Sequence, residues 1–411
     1  MKRYVIIGNG TAGASAIAEI RARDKEGSIV VFTRENHPYY YRPRLPEYIA
    51  RETGREKLAM HTLSQYEKWN VDLRLGETVT AIDPVKKEVL SSRPGGESGA
   101  ARYDELLLAA GSSGFLPPVE GSGKAGVFTL RTIADADAIM AAAGKAGTKT
   151  AVLVGGGLLG LEAGRALIAL GLKVEVVEHS PRLLSRQLDD ESAGLLQKKL
   201  EGMGFSFRLA ANVRAITGGD AATGIALADG TGMDCGLVLF SAGVRPNLEL
   251  AGRAGLDVGK AVKVDRHMGT GVPGIWAAGD VAEFDGQPCG VWPVAMAQGK
   301  TAGASMAGEL REYVPQTPGM TLKVAGIDLV SAGNIAAGDT QDRALTVKRF
   351  AAGNVYRKIV LEEDVIKGVI FLGSTAGARE CVAAMNRGLR LGPLAQGLDR
   401  EGFDFSGLSL A

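Results

Sequence analysis

The sequence predicts an α/β fold from two glycine-rich turns and from a change of periodicity near its C-terminal end. The first turn lies in Val5–Gly13, V-I-I-G-N-G-T-A-G, and the second in Val152–Gly160, V-L-V-G-G-G-L-L-G. Each follows an apolar strand-like run and opens a helix-like run, the context in which G-x-G-x-x-G indicates a dinucleotide site. From Thr321 onward apolar residues alternate, which indicates a small antiparallel sheet. We therefore expect two Rossmann-like dinucleotide-binding domains and a small C-terminal α+β domain.

Each turn contains three glycines that serve different purposes. The first allows the tight turn, the second lets a pyrophosphate approach the backbone, and the third lets the helix pack on the strand. The helix N-terminus then offers unpaired N–H groups to the phosphates. The candidate cofactor-binding glycines are Gly8, Gly10 and Gly13 in the first turn and Gly155, Gly157 and Gly160 in the second. Two such turns suggest two dinucleotides held close together, and hydride transfer from a nicotinamide to a flavin.

The remaining elements are read from periodicity and from glycine and proline positions. In chain order they are a βαβ unit over 3–35, a strand over 77–82, a Gly/Ser turn region over 91–101, a buried strand over 106–111, a second βαβ unit over 150–178 with its helix at 159–170, and a long helix near 295–310. Pro315 and Pro318 mark a boundary. Alternating strands follow, then a helix over 378–387 and a docking or loose tail from Pro393.

Composition excludes several classes of function. The chain has 411 residues, 45% of them apolar, and a formal net charge of +1, with no basic run that would indicate nucleic-acid binding. The first strand begins almost at once, and no apolar run approaches the roughly 18 residues that a membrane helix needs. We therefore expect a cytoplasmic protein with no membrane partner. The three cysteines form no C-x-x-C or C-x4-C pair, and the four histidines have no ligand spacing, so neither a redox disulfide nor a metal site is expected.

Further motifs carry a family resemblance. They are Y-Y-Y-R-P-R-L-P-E-Y at 39–48, L-L-L-A-A-G-S at 106–112, G-V-R-P-N at 243–247 and T-G-V-P-G-I-W-A-A-G-D at 270–280. With the two glycine turns, the chain resembles the FAD-dependent pyridine nucleotide–disulfide oxidoreductase superfamily. Within it, the resemblance is to NADH:rubredoxin reductases and to the flavin module of assimilatory nitrite reductases.

The resemblance implies a discontinuous FAD-binding domain, 1–114 and 241–317. It implies that Asp280, after Gly279, contacts the flavin ribityl chain, and that Glu35 accepts from the adenosine ribose of FAD. The other residues implied to bind cofactor are Arg42, Pro43, Val79, Gly111, Gly243 and Trp292. Three of these roles leave plainer alternatives open: a solvated loop carboxylate for Glu35, a strand residue for Val79, and a core side chain for Trp292.

The resemblance implies an NAD-binding domain over 115–240 and a C-terminal domain over 318–411. Glu178 ends the strand that follows the second turn, 18 residues after Gly160. A carboxylate there binds the free ribose of NADH and repels a 2′-phosphate. Arg182 and Arg186 lie nearby, and their positive charges would weaken the preference for NADH over NADPH.

Glu162 resembles the family glutamate near the nicotinamide; the plainer alternative is a charge on a helix face. In many relatives a lysine pairs with this glutamate, but here the corresponding position is Glu47. Arg44 is a possible substitute partner. Glu162 and Arg44 are therefore the candidate catalytic residues.

The cysteine positions of the disulfide reductases and of the peroxidase and oxidase relatives hold no cysteine here, so no thiolate receives electrons from the flavin. We therefore expect NADH to reduce FAD and the reduced FAD to pass electrons to an external iron–sulfur carrier such as rubredoxin. A basic group, Lys348, Arg349, Arg357 and Lys358, would steer an acidic carrier; the plainer alternative is a solvated strand face.

Three other functions stay open. The chain is alternatively a flavin subunit of a larger complex, of nitrite reductase or 2-oxoacid oxidoreductase type, that exchanges electrons with iron–sulfur subunits. It is alternatively an NADH oxidase that reduces oxygen directly. A nucleotide-sensing scaffold with negligible turnover is the third.

Overall fold

The computed structural model describes residues 1–145, 147–315, 320–335 and 345–410. The predicted boundary residue Pro318 lies outside them. The α-helices of the described residues are α1 Thr11–Arg23, α2 Leu45–Ile49, α3 Leu63–Lys68, α4 Ile133–Ala143, α5 Leu158–Ala169, α6 Asp190–Glu201, α7 Glu249–Arg253, α8 Trp292–Met306, α9 Ala378–Arg387 and α10 Gly407–Leu410.

The strands are β1 Arg3–Ile7, β2 Ser28–Thr33, β3 Val71–Leu75, β4 Thr78–Asp83, β5 Glu88–Ser92, β6 Ser98–Arg102, β7 Glu105–Leu108, β8 Ser112–Gly114, β9 Val127–Thr129, β10 Thr150–Val154, β11 Lys173–Val177, β12 Phe205–Arg208, β13 Val213–Thr217, β14 Gly224–Leu227, β15 Gly232–Asp234, β16 Leu237–Phe240, β17 Val244–Pro246, β18 Val262–Val264, β19 Ile275–Ala277, β20 Ala282–Phe284, β21 Gln287–Pro288, β22 Met320–Val324, β23 Ile327–Gly333, β24 Leu345–Ala352, β25 Val355–Glu362 and β26 Val365–Leu372.

These elements form two compact units. Unit 1 contains 1–44, 53–114 and 244–315, and unit 2 contains 45–52, 115–243 and 316–411. The three domain boundaries drawn from the sequence stay a prediction.

Unit 1 is built on a parallel sheet in the order β19-β7-β1-β2-β3. Helices α1 and α8 cross on one face with their backbones in close approach. A Cβ at Gly299 would lie 2.3 Å from the carbonyl oxygen of Ala12, and one at Gly303 would lie 2.6 Å from that of Ala16. Only glycine permits this approach, so the two helices pack closely together on one face of the sheet.

One predicted element of unit 1 is confirmed only in its centre. The Gly/Ser turn region expected over 91–101 is confined to 93–97, and the residues on either side lie in strands β5 and β6 of the antiparallel sheet β4-β5-β6. The turn itself is short and contains Gly95 and Gly96, both with positive φ. The small residues on either side pair as strands because they belong to a three-stranded sheet, which local composition does not reveal.

Unit 2 contains a second parallel sheet, in the order β12-β11-β10-β16-β9. Helix α5 follows β10 and leads to β11, as the second predicted βαβ unit requires. The short helix α2 packs against α4 and α5 in this unit, and the hydroxyl of Tyr48 donates to Asp137 Oδ1 at 2.8 Å.

The C-terminal part of unit 2 is an antiparallel sheet in the order β22-β23-β26-β25-β24. Helix α9 has the predicted bounds, Ala378–Arg387. The tail beyond it docks on the sheet, because Leu398, Phe405 and Leu408 are buried in the same cluster as Ile359 and Phe371. The docking alternative for the tail is therefore the correct one.

The basic docking face predicted on these strands is wrong for two of its four residues, whereas Arg349 is exposed and the Lys348 side chain is 24% exposed. Lys358 is completely buried, and Arg357 is 8% exposed. The Arg357 guanidinium lies between the rings of Phe350 and Phe405, at 4.9 and 5.0 Å from their centroids. Strand β25 is buried along almost its whole length, so neither side chain reaches solvent to steer a carrier.

The three cysteines are buried and form no disulfide. Burial raises the thiol pKa to about 11 for Cys235 and to about 12 for Cys289 and Cys381. They are therefore small buried side chains, as predicted. Among the described residues, no helix combines the length and the apolar character that crossing a membrane requires.

Candidate functional site

The two glycine turns share one backbone geometry. Gly8 has φ +108° and Gly155 has φ +112°, values that side chains with a Cβ rarely adopt. A Cβ at Gly8 would lie 2.2 Å from the carbonyl oxygen of Ala109, and one at Gly155 would lie 2.5 Å from that of Ser241. Ala109 and Ser241 directly follow β7 and β16, the neighbours of β1 and β10. Each turn is thus held against the end of the adjacent parallel strand.

The remaining glycines divide into a packed and an open class. A Cβ at Gly13 would lie 2.1 Å from the carbonyl oxygen of Gly8, and one at Gly160 would lie 2.5 Å from that of Gly155. At Gly10 and Gly157 a Cβ would meet nothing within 4 Å. These two residues are the N-caps of α1 and α5, and neither makes a side-chain cap. Both helix ends therefore present backbone N–H groups to open space, which fits a pyrophosphate.

Asn9, inside the first turn, adds a buried donor. Its Oδ1 accepts from the hydroxyl of Tyr66 at 2.9 Å, while its Nδ2 is buried without a hydrogen-bond partner. An orphaned buried N–H is costly unless a ligand satisfies it. This atom fits an acceptor oxygen of a bound nucleotide. Asn9 is not among the residues predicted from the sequence, although its place between Gly8 and Gly10 was a usable signal.

Glu35 and Arg42 form an ion pair that is mostly shielded from solvent. Arg42 Nη2 donates to Glu35 Oε1 at 2.6 Å, and the hydroxyl of Tyr40 donates to Oε2 at 2.6 Å. Burial opposes ionisation of Glu35, but the charge of Arg42 and these hydrogen bonds outweigh it and lower the pKa. The Glu35 side chain is 17% exposed, so it is not a solvated loop carboxylate. Its ribose-binding role stays a prediction.

Asp280 is joined to the residue after Gly111. The hydroxyl of Ser112 donates to Asp280 Oδ2 at 2.6 Å, and the carbonyl of Gly111 accepts from Asn247 N at 3.0 Å. Burial lowers the pKa of Arg42, but its interactions with Tyr40, Glu35 and, to a smaller extent, Asp280 outweigh this effect and raise it. Three predicted motifs, distant in sequence, therefore meet in unit 1. Gly279 donates from its backbone to the buried side chain of Gln298 at 2.9 Å.

Trp292, the first residue of α8, is tied to the first glycine turn. Its Nε1 donates to the hydroxyl of Tyr39 at 3.2 Å, and that hydroxyl lies 3.3 Å from Oγ1 of Thr11, the first residue of α1. The ring of Tyr41 meets the Trp292 ring edge-on at 5.5 Å. Two predicted residues lie elsewhere in unit 1: Val79 buried in β4, and Pro43 exposed in a short 3-10 turn over Arg42–Arg44.

Glu178 is engaged by the second turn. Its Oε2 accepts from Gly156 N at 2.6 Å, and its Oε1 accepts from Ser180 N at 2.8 Å. The neighbouring Arg182 donates to Asp190 Oδ1 at 2.9 Å, while Arg186 is exposed. The backbone therefore fixes the carboxylate of Glu178 beside the open helix end. Gly243, with φ +93°, lies after β16 and accepts from Phe115 N at 2.9 Å.

Glu162 interacts with a cation, Arg165, that is not among the residues predicted from the sequence. Arg165, on the next turn of α5, has its Nε 3.6 Å from Glu162 Oε2, and Ala325 N donates to Oε1 at 2.9 Å. Burial raises the pKa of Glu162 despite these contacts, and the negative charge of Glu47 adds to the rise. The i,i+3 spacing could have indicated Arg165. The pairing of Arg44 with Glu162 stays a prediction; within unit 1, Arg44 Nη1 donates to the carbonyl of Lys57 at 3.3 Å.

Comparison with protein families agrees with this geometry. The pyridine nucleotide-disulphide oxidoreductase family matches residues 2–299. The chain belongs to this family. The rubredoxin NAD+ reductase C-terminal domain matches residues 318–389. The family predicted from the sequence motifs is therefore confirmed.

Curated relatives of this chain have several names. The assimilatory nitrate reductase electron transfer subunit of Bacillus subtilis is 36% identical over 91% of this chain and 48% of its own length. This chain thus spans about half of that relative. An NADH oxidase of Methanocaldococcus jannaschii is 33% identical over 88% of this chain and 85% of its own. A rubredoxin-NAD(+) reductase of Alcanivorax borkumensis is 31% identical over 89% of this chain and 93% of its own length.

One solved structure is similar over the full length of this chain. The covalent putidaredoxin reductase–putidaredoxin complex contains a chain with a TM-score of 0.87 and 26% identity, covering 100% of this chain and 98% of that one. The predicted α/β class with two Rossmann-like domains is therefore confirmed.

Proposed function

We propose that this protein is an FAD-dependent NADH oxidoreductase that passes electrons through FAD to an external iron–sulfur protein such as rubredoxin. The observation that carries the proposal is the repeated turn geometry, with Gly10 and Gly157 open at two helix ends in a chain whose cysteines are all buried. Two dinucleotides are accommodated, and no accessible thiol is present among the described residues. We place the protein in the cytoplasm.

In unit 1 the residues fit FAD. The N-terminal N–H groups of α1 would hold the pyrophosphate, the orphaned Nδ2 of Asn9 would donate to the nucleotide, and Asp280 would accept from the ribityl chain. Ser112 holds Asp280 in place. Bound FAD would supply a centre that accepts two electrons and releases them singly.

In unit 2 the residues fit NADH. The N–H groups at the start of α5 would hold its pyrophosphate, and Glu178 would accept from the ribose hydroxyls and repel a 2′-phosphate. Arg182 is already bound to Asp190, which leaves less positive charge to favour NADPH. Glu162 and Arg165 would line the nicotinamide end.

Two observations support an external iron–sulfur acceptor: the burial of the cysteines and the family match of the C-terminal residues. The cysteines would not relay electrons, because all three are buried and unpaired, and burial raises the pKa of their thiols. The match of the C-terminal residues to the rubredoxin NAD+ reductase domain supports a rubredoxin-type acceptor.

A second candidate is a flavin subunit that delivers electrons within a larger enzyme. The observation that favours it is the Bacillus subtilis relative, of which this chain covers 48%. In that arrangement the acceptor would be an iron–sulfur partner subunit.

An acceptor screen tests the proposal. The purified protein, loaded with FAD, is given NADH and either rubredoxin, ferredoxin or oxygen alone. We expect carrier reduction to exceed the oxygen rate by at least tenfold. A fast oxygen rate without any carrier would instead identify an NADH oxidase. Fast reduction of the flavin with slow transfer to every carrier, together with co-purifying iron–sulfur proteins, would favour the complex subunit. Absence of flavin reduction would indicate a nucleotide-sensing scaffold.

A further inference from the structure

Lys358 places an ammonium group in the interior of unit 2. Its side chain is 0% exposed, and Nζ lies 3.3 Å from Asp189 Oδ2. Nζ also donates to the carbonyl of Ile335 at 2.9 Å. A buried ammonium is tolerated only when it is paired and hydrogen-bonded. The contact with Asp189 therefore offsets part of the free-energy cost of burying this ammonium group.

Asp189 is the centre of a buried cluster with Lys358, Tyr356 and Ser192. Its Oδ2 accepts from the hydroxyl of Tyr356 at 2.6 Å, and its Oδ1 accepts from the backbone and hydroxyl of Ser192 at 3.0 and 2.6 Å. Asp189 is the N-cap of α6. Burial opposes its ionisation, but the hydrogen bonds and the charge of Lys358 outweigh this and lower the pKa. The Asp189 carboxylate is thus an anion that contacts β25 through Oδ2 and α6 through Oδ1.

This cluster closes one end of the loop 178–189. At the other end, the carboxylate of Glu178 accepts from Gly156 N. In the middle, Leu184 adopts φ +48° and donates from its backbone to the carbonyl of Gly156 at 3.2 Å. The loop is therefore fixed at the second glycine turn and at the C-terminal sheet. The left-handed backbone conformation of Leu184 is strained for a residue with a Cβ, so it persists only because the contacts at both ends of the loop hold it.

We propose that Lys358 and Tyr356 are positioning residues for this dinucleotide-binding loop. Both side chains extend from strand β25 and contact Asp189, which ends the loop 178–189. By fixing this end of the loop, they hold the Glu178 carboxylate in the position that receives the adenosine ribose of NADH. The inference rests on the proposed NADH activity. It gives the C-terminal sheet a part in nucleotide binding. Without Lys358 the loop samples other shapes, and apparent affinity falls with the competent fraction.

The test compares Lys358→Met with wild type as FAD-loaded protein. Three quantities are measured: the dissociation constant of ADP-ribose, the KM for NADH, and the limiting rate of flavin reduction. Reduced nicotinamide mononucleotide, which lacks the adenosine ribose, is a second reductant. We expect the first two quantities to rise about tenfold, with the limiting rate and the mononucleotide reaction unchanged. Lys348→Met is the matched control, since Lys348 lies in the same sheet and pairs with Asp399 at 3.6 Å.

Tyr356→Phe provides a milder variant that removes one hydrogen bond to Asp189 and keeps the ring. It should raise the ADP-ribose dissociation constant severalfold, and it decides the question if Lys358→Met does not fold. Unchanged ADP-ribose affinity in the folded variants overturns the inference, as does an equal loss with both reductants. A wild-type protein that NADH does not reduce overturns the proposed function instead, while the ADP-ribose comparison still tests the loop.

Discussion

The hydroxyl of Ser112 donates a 2.6 Å hydrogen bond to Asp280, across 168 positions of sequence. Ser112 follows the turn after β7, and Asp280 follows β19, so adjacent parallel strands deliver the two residues to one edge of the sheet. This edge also contains the first glycine turn. The first prediction tests this contact.

Replacing Ser112 with alanine should weaken FAD binding. The hydrogen bond orients Asp280, and its loss should cost about 1 kcal/mol, or about fivefold in the dissociation constant. Flavin fluorescence during reconstitution of the apoprotein measures it. Ser98→Ala, at an exposed serine of β6, serves as the control. Equal affinity in Ser112→Ala and wild type would count against the assignment of Asp280.

Two glycine variants should separate folding from cofactor binding. Gly13→Ala places a Cβ 2.1 Å from the carbonyl of Gly8, so we expect poor folding. Gly10→Ala meets no protein atom within 4 Å, so thermal stability of the apoprotein should stay near that of wild type while FAD affinity falls at least tenfold. Calorimetry and FAD titration measure the two effects. A Gly10→Ala protein that retains FAD normally would refute the pyrophosphate site.

Glu178→Gln should narrow the preference for NADH over NADPH. The amide removes the charge that repels a 2′-phosphate and retains an oxygen that can accept from Gly156 N. We expect the ratio of kcat/KM values to fall about tenfold or more, since one opposed charge is worth more than 1 kcal/mol at close range. Glu175→Gln is the control, since Glu175 lies on β11, the strand that Glu178 directly follows, and pairs with Arg208 at 3.0 Å. The prediction is wrong if the wild type already prefers NADPH.

Glu35 and Glu162 should contribute to stability with opposite dependence on pH. The folded-state pKa of Glu35 is lowered from 4.5, so its contribution is present above pH 4.5 and is lost as pH falls through the lowered value. The pKa of Glu162 is raised from 4.5, so its contribution is present below pH 4.5 and is lost as pH rises through the raised value. Denaturant unfolding of Glu35→Gln and Glu162→Gln against wild type, over this pH range, measures both slopes. Slopes of the same sign would contradict the assigned environments.

Alanine at all three cysteines should leave catalysis intact. Cys235, Cys289 and Cys381 are buried thiols with raised pKa, so we expect them to lie outside the electron path. We expect a lower melting temperature, because each truncation costs about 1 kcal/mol of packing, but unchanged rates of flavin reduction and carrier reduction. Lost turnover with FAD still bound would reveal a missed redox thiol.

Local pattern was sufficient for much of the fold. The helix Ala378–Arg387 was predicted with its bounds, because its apolar spacing ends at Gly388, which has φ +62°. The glycine turns were predicted because a close backbone approach leaves only glycine at fixed spacing. The hairpin over 88–102 was missed because its strands are defined by partners rather than by composition.

Long-range electrostatics were not predictable in the same way. Lys358 was expected on a solvated face or in a docking surface, because a lysine in an alternating strand ordinarily points to water. Its partner Asp189 lies in a different part of the sequence, and no local signal connects the two residues. The pairing of Glu162 with Arg165 was within reach, since both lie on one helix.

The contact between α1 and α8 has a consequence for biosynthesis. Strand β19 completes the first sheet, and helix α8 covers one of its faces together with α1. Both elements lie late in the sequence, within residues 275–306. During translation the N-terminal strands therefore leave the ribosome with an apolar face uncovered, and α1 cannot pack against α8 until synthesis has passed Met306. Nascent chains shorter than this should be clients of chaperones and unable to retain flavin.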